Sequence, residues 1–270
     1  MTPMLFFAFA LGLWVEHAYA PSRSGAWRRW WRARAAWWWQ QDAASGTTAW
    51  LWWVAAVVLP ALVATVVASW HGLITLLWVG ACVVACVGWQ TANEALHQQR
   101  EAWAAQHDAS AEQLWLDAAL PIHRLALGSV SALVLGWALG LGPGLMVAYR
   151  LAGALASQAA NQPGSALADV ANRAWYVVDY LPSRLTVLVW GAMGNFGGAW
   201  AGWQLMRDPM TRDHTPALGA ALAGALQAPS GADAQDDPVA HAAQLMQAES
   251  LLARSMVCWL ALLALVALLA

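Results

Sequence analysis

Ala49–Trp70, AWLWWVAAVVLPALVATVVASW, runs for 22 residues without a charged side chain. As a helix it is ~33 Å long at ~1.5 Å per residue, enough to cross ~30 Å of hydrocarbon. Lipid offers no partners for backbone N–H and C=O groups, so a chain that enters it must form helices or a closed barrel. The run shows none of the apolar–polar alternation of a barrel strand. Only 10% of the chain is charged and its mean hydropathy is +0.48, where soluble domains carry ~25% charge. The expected fold is all-α: a polytopic integral membrane protein with four to five transmembrane helices, plus amphipathic interfacial and cytoplasmic helices. It is expected to form one membrane domain over residues 1–270.

The segments around this run follow the same logic. Residues 1–20 end in Ala-Tyr-Ala like a signal peptide, but lack a basic leader and carry Glu16 and His17 before the cleavage position. They read as a retained first membrane segment. Residues 21–48 form a basic, Trp-rich loop with Arg23, Arg28, Arg29, Arg32 and Arg34, suited to lying on anionic lipid headgroups. His71-Gly72 turns the chain, and Leu73–Trp89 returns across the bilayer. Residues 90–124 are polar, helical in character and outside the lipid. Leu125–Tyr149 is a span interrupted by Gly140, Gly142, Pro143 and Gly144, a break tolerated only where the freed backbone faces protein or a wet cavity. Residues 150–181 read as a mixed loop, and Leu185–Leu205 as a glycine-dotted inner helix that either spans or re-enters. Residues 207–249 read as a polar loop, and Leu251–Ala270 as the last span. The 21 tryptophans suit membrane interfaces. Five arginines in the first loop place it in the cytoplasm by the positive-inside rule.

Net charge is −2, which argues against nucleic acid as a partner. All 13 basic residues are arginine, so mechanisms that need a catalytic lysine are excluded. Cys82, Cys86 and Cys258 lie in apolar runs and read as small buried hydrophobes rather than metal ligands. There is no metal motif of known spacing, no nucleophilic triad and no glycine fingerprint for phosphate.

What remains is a set of polar residues at apolar margins. In YVVDYLPSRLTVL (Tyr176–Leu188), Pro182 suits the first turn of a helix, where its missing N–H costs nothing. Arg184 then lies in the first turn, against the positive end of the helix dipole, and needs an anion. Asp179, a lipid phosphate and an anionic ligand are the candidates, and snorkelling to headgroups is the alternative. Glu16 ends the first segment, either as a simple stop charge or as part of a site. Tyr149-Arg150 ends the broken span as an anchor or a ligand. Asn195, among glycines that permit close helix packing, is placed to hydrogen-bond across helices. His123-Arg124 precedes a span as a pH-responsive anchor. Glu16, Arg150, Asp179 and Arg184 are expected to converge on one polar pocket at a membrane boundary, and with Asn195 form the candidate ligand-binding set.

The segment Asp179-Tyr-Leu-Pro-Ser-Arg-Leu-Thr186 resembles the D-x-[LIV]-P-x-R-L-[TS] segment of the CobD/CbiB family and of the related AmpE proteins. Gly142-Pro-Gly with Tyr149-Arg150 is similar to the family's P-G…Y-R, and Gly194-Asn-Phe196 to a divergent branch. CobD/CbiB proteins are inner-membrane enzymes of late cobalamin biosynthesis. The resemblance therefore implies a multi-pass protein of the bacterial inner membrane that forms an amide, attaching an aminopropanol phosphate to a corrinoid with ATP and Mg. Arg184 or Arg150 would face the phosphate. The family's D-P…H-P-V motif and lysine-bearing K-A…N-T-x-D-S-M segment are absent, so the resemblance extends equally to a synthase that has lost its activity. The alternative it implies is an AmpE-like, non-enzymatic regulator of β-lactamase induction or cell-wall sensing.

Overall fold

A computed structural model of the chain describes residues 8, 10–12, 33, 36–40, 46–70, 73–105, 111–159, 164–205, 214–228 and 238–269. Nearly all of them are helical and none is in a strand, which gives the all-α class. Ten helices can be named: α1 Gly46–Ala68, α2 Leu73–Cys86, α3 Trp89–Ala105, α4 Ala111–Pro121, α5 Gly128–Ala138, α6 Gly144–Ala159, α7 Ala166–Met193, α8 Phe196–Leu205, α9 Thr215–Ala225 and α10 Pro238–Leu269. Among the described residues three stretches are long and apolar enough to cross a membrane: Gly46–Ala68, Trp115–Ala138 and Gln244–Leu265. Helix α2 is apolar but has only 14 residues. Glu16 and the arginines of the 21–48 loop lie outside the described residues. The chain packs as two compact units, residues 1–88, 129–180 and 263–270 in one and 89–128 and 181–262 in the other.

In the first unit, α6 packs on α1 and α2. A Cβ at Gly144 would sit 2.5 Å from the Ala61 carbonyl oxygen, so only glycine lets α6 approach α1 this closely. The expected break in the Leu125–Tyr149 span falls between α5 and α6. Gly140 and Gly142 take positive φ there, 75° and 53°, which glycine adopts without steric cost. The turn is satisfied by protein: the N–H groups of Leu141 and Gly142 donate to Gly136 O at 2.7 and 3.0 Å, and Thr65 Oγ1 donates to Leu141 O at 2.7 Å. Trp37 meets Trp52 edge-on at 5.9 Å.

In the second unit, α9 packs on both α8 and α4. Gly194, Gly198 and Gly202 recur every four residues and form one face. A Cβ at Gly198 would lie 2.5 Å from the Gly224 carbonyl carbon, and one at Gly202 would lie 2.5 Å from Ala221 Cα. Small residues at this spacing let helix backbones touch, the role expected of these glycines. Pro121 closes α4 and leads into a π-helical stretch, Ile122–Leu127. The missing proline N–H strands the carbonyl of Asp117, and Gln99 Nε2 of α3 donates to that oxygen at 2.6 Å.

Several expectations are corrected. The described residues of 150–181 are not mainly a loop: they hold the end of α6 and the first half of α7. Residues 207–249 contain α9 and the start of α10, because Ala- and Leu-rich stretches of high helix propensity flank the Asp-rich centre. Leu185–Leu205 is not one helix; it is the end of α7 and all of α8, broken at Gly194-Asn195. Pro182 does not start a helix. It lies inside the 28-residue α7, because the turns before it, rich in Ala, Val and aromatic residues, are themselves helical and packed. The tryptophans are not all at the surface: Trp70 is exposed, whereas Trp38 and Trp190 are completely buried.

Candidate functional site

Helix α7 has an unusual distribution of polarity. Asp179, Ser183 and Thr186 stand at i, i+4 and i+7, one stripe of a helix. Asp179 is 3% exposed and the other two 0%, whereas Val177 is 70% and Leu181 51% exposed. Around these positions the polar stripe is covered and an apolar one is open, the reverse of a water-facing amphipathic helix. In the first turns of α7, by contrast, Asp169, Asn172 and Arg173 are exposed and Leu167, Val170 and Ala171 are buried.

Each end of the stripe has a partner inside its own unit. Within the first unit, Tyr149 Oη of α6 donates to Asp179 Oδ1 at 3.0 Å, a buried bond. The tyrosine ring is held against Trp175, with centroids 5.0 Å apart, and Gly153 leaves room for that indole. A buried carboxylate needs such a donor, since an unpaired one costs several kcal/mol. Arg150 follows Tyr149 on α6, half-buried, with its Nε shielded from solvent. The structure thus brings Asp179 to the helical turn that carries Arg150. Within the second unit, His123 Nδ1 and Thr186 Oγ1 are 3.0 Å apart and buried. His123 sits in the π-helical stretch, a local widening of the helix often found at functional sites. It is a buried, hydrogen-bonded histidine, not the headgroup anchor expected from its position before a span.

The remaining candidates are placed differently. Arg184, in the helix interior, holds its guanidinium carbon 5.9 Å above the centroid of Trp203. Cation–π contact of this kind is worth ~0.5–2 kcal/mol. Trp203 is itself stacked on Trp200 at 5.8 Å. Asn195 is an N-cap: its Oδ1 accepts from Gly198 N–H at 2.9 Å, and its own N–H donates to Ala225 O at 2.8 Å. The expected bond across helices exists, but the backbone makes it while the side chain satisfies the first turn of α8. Among the described residues no group of three His, Cys, Asp or Glu side chains is arranged to hold a metal. Cys82 and Cys86 are buried free thiols.

Sequence reading named Tyr149, His123 and Thr186 without pairing them, since contacts 30 and 63 residues apart leave no local pattern. It missed Arg254 altogether. The available signal was a single arginine just ahead of the apolar run from Met256. Arg254 Nη1 donates to Met193 O, the C-terminal carbonyl of α7, at 2.9 Å. It borders a cleft of about 340 Å³ that is lined also by Asn195, Gln227, Gln247 and Ser250. No family model matches the chain, and neither a curated protein nor a solved structure is significantly similar to it.

Proposed function

We propose that the chain is a multi-pass protein of a bacterial inner membrane, with a non-enzymatic, AmpE-like regulatory role. The observation that carries the membrane reading is the local reversal of polarity between residues 177 and 188 of α7, with Asp179, Ser183 and Thr186 covered and Val177, Tyr180, Leu181 and Leu188 open. Open apolar faces of this extent suit lipid and are costly in water. Helix α1 supports it independently, since Leu51, Leu59, Leu62, Val63 and Val66 are all exposed on a stretch long enough to cross. Spans at Gly46–Ala68, Trp115–Ala138 and Gln244–Leu265, with α7 as a fourth whose polar face is turned inward and residues 1–20 as a fifth, make four to five crossings. Intramembrane polar groups are placed this way, facing other helices.

The regulatory role is favoured over amide synthesis by what the motif residues do. Asp179 accepts from Tyr149, Arg184 lies over Trp203 and Asn195 caps α8. Each stabilises a junction within its unit. A segment built this way transmits a change of helix packing and needs no reacting group.

Two measurements test the reading. In a background with Cys82, Cys86 and Cys258 replaced by alanine, Val177→Cys and Leu188→Cys should resist a charged, water-soluble maleimide in intact membranes and react after solubilisation in denaturing detergent. Full labelling in membranes, or release of the protein by alkaline carbonate, would remove the membrane reading. The chain should also fail to restore cobalamin synthesis in a strain lacking the amide-forming synthase. Restored growth would overturn the non-enzymatic role.

A further inference from the structure

The geometry points to a second site, independent of the polar face of α7. We infer that the cleft beside Arg254 binds a phosphate group, either a free phosphate or the headgroup of an anionic lipid. The cleft lies wholly within the second unit, where the end of α7, the start of α8, the end of α9 and one face of α10 meet. Its lining includes Met193, Asn195, Gln227, Gln247, Ser250 and Arg254.

The charge at this cleft is one-sided. Arg254 has five N–H donors. One goes to Met193 O at 2.9 Å and one to Ser250 O at 3.4 Å; among the described residues the other three have no acceptor. Among the described residues no Asp or Glu lines the cleft. The nearest carboxylate in sequence, Glu249, is held towards His97, with Oε1 and Nδ1 3.7 Å apart. Gln247, Ser250 and Arg254 stand at i, i+3 and i+7, one stripe of α10, while Glu249 lies off it. The other polar side chains in the lining are neutral groups able to donate: the amides of Gln227 and Gln247, the Ser250 hydroxyl and Asn195 Nδ2, whose Oδ1 is already engaged with Gly198.

A phosphate fits this set better than a carboxylate or a halide does. Its several acceptor oxygens match a guanidinium fork plus neutral amide and hydroxyl donors. The bond to Met193 O does not compete with it. It anchors one edge of the guanidinium at the negative end of α7 and fixes the direction of the unused edge. The cleft has room for a phosphate with its attached carbon. Arg254 immediately precedes the strongly apolar run that starts at Met256.

The decisive variant is Gln247→Glu. It places a carboxylate on the stripe that carries Arg254 and changes neither helix propensity nor the bond to Met193. Arg254→Ala removes the cation, and Arg254→Lys keeps the charge without the fork. The purified full chain, in a neutral maltoside detergent, is titrated with inorganic phosphate by calorimetry. In parallel, native mass spectrometry follows lipid retained from nanodiscs of phosphatidylglycerol and of phosphatidylcholine. Retention of phosphatidylglycerol over phosphatidylcholine, weakened at least tenfold in Gln247→Glu and Arg254→Ala, supports a headgroup site. Phosphate binding with the same sensitivity and no lipid preference supports a free-phosphate site. The tenfold figure corresponds to the lower end of ~1.5–3 kcal/mol for a hydrogen bond to a charged group. Absence of both bindings in the unaltered protein overturns the inference. So does binding that Gln247→Glu and Arg254→Ala leave unchanged while the thermal unfolding of both variants shows them folded.

Discussion

Replacing Gly198 with alanine adds a single methyl group at the place where α8 and α9 touch through their backbones. Two effects of opposite sign compete. Alanine is a better helix former than glycine by ~1 kcal/mol at most. The new Cβ would stand 2.5 Å from the Gly224 carbonyl carbon and 2.8 Å from its Cα, where carbon pairs prefer ~3.5–4.0 Å. Both obstacles are backbone, so no side chain can rotate aside and α8 must retreat by roughly 1 Å. The retreat also loosens Gly194 against Ala225 and Gly202 against Ala221, which lie on the same face. Overpacking of this kind costs ~1–3 kcal/mol, so a net loss of about 1–2 kcal/mol is expected. The matched control is Gly197→Ala, one residue earlier, where the nearest atom to a new Cβ is Asn195 Oδ1 at 3.4 Å. That change should be neutral or stabilising by up to ~1 kcal/mol. Thermal unfolding of both variants in the same detergent measures the difference, at ~2–4 °C per kcal/mol for a chain of this size. A Gly198→Ala protein as stable as Gly197→Ala would refute the backbone contact between α8 and α9.

Three further substitutions probe the buried polar groups. Tyr149→Phe leaves the Asp179 carboxylate without its phenolic donor and should destabilise by ~1–3 kcal/mol in denaturant titration. Thr186→Val should cost up to a similar ~1–3 kcal/mol by removing the hydroxyl that His123 meets, and Thr186→Ser should recover most of it; equal losses in both would assign the effect to packing. Gln99→Leu should destabilise by ~1–3 kcal/mol because the Asp117 carbonyl that Pro121 strands loses its side-chain donor, and Pro121→Ala should reduce that loss by supplying the backbone N–H instead.

What was legible in the sequence were features that carry their own physics. A charge-free run as long as a bilayer is thick reads as a helix in any context, and Gly46–Ala68 is one. Gly140-Leu-Gly-Pro stops a helix because positive φ and a missing N–H act locally. Glycines every four residues signal close packing before the partner is known, and Ala221–Gly224 of α9 turned out to be that partner. Polar side chains were legible as a set but not as pairs. Asp179 was one of three candidates to answer the charge of Arg184, five positions on; its bond to Tyr149 could not be read, because only the packing of α6 decides where that tyrosine lies. Asn195 gave no local sign of capping, because the helix it caps looked continuous with the one before it.

Pro182 shows most directly where local physics was overruled. Read alone, a proline ahead of an apolar run starts a helix and leaves Arg184 opposed by the dipole. In the structure the helix began at Ala166, so the dipole exerts little on Arg184, and the Trp203 ring stabilises its charge. The cost moves to the backbone: Pro182 removes the N–H that Val178 O would accept, and an interior proline costs a helix ~3 kcal/mol. Pro182→Ala should return part of that energy. The gain is expected to fall short of ~3 kcal/mol, because the turn that follows carries Ser183 and Thr186, and Thr186 is fixed to His123 at 3.0 Å across two helices. Closing the regular ladder through residue 182 rotates that turn against a bond that cannot follow it. A cycle of Pro182→Ala with Thr186→Val reads this out: the gain from removing the proline should be larger by ~0.5–2 kcal/mol once Thr186 no longer holds His123. Strictly additive changes would show that the proline distorts nothing the site uses, and that its place in α7 has no bearing on the His123–Thr186 pair.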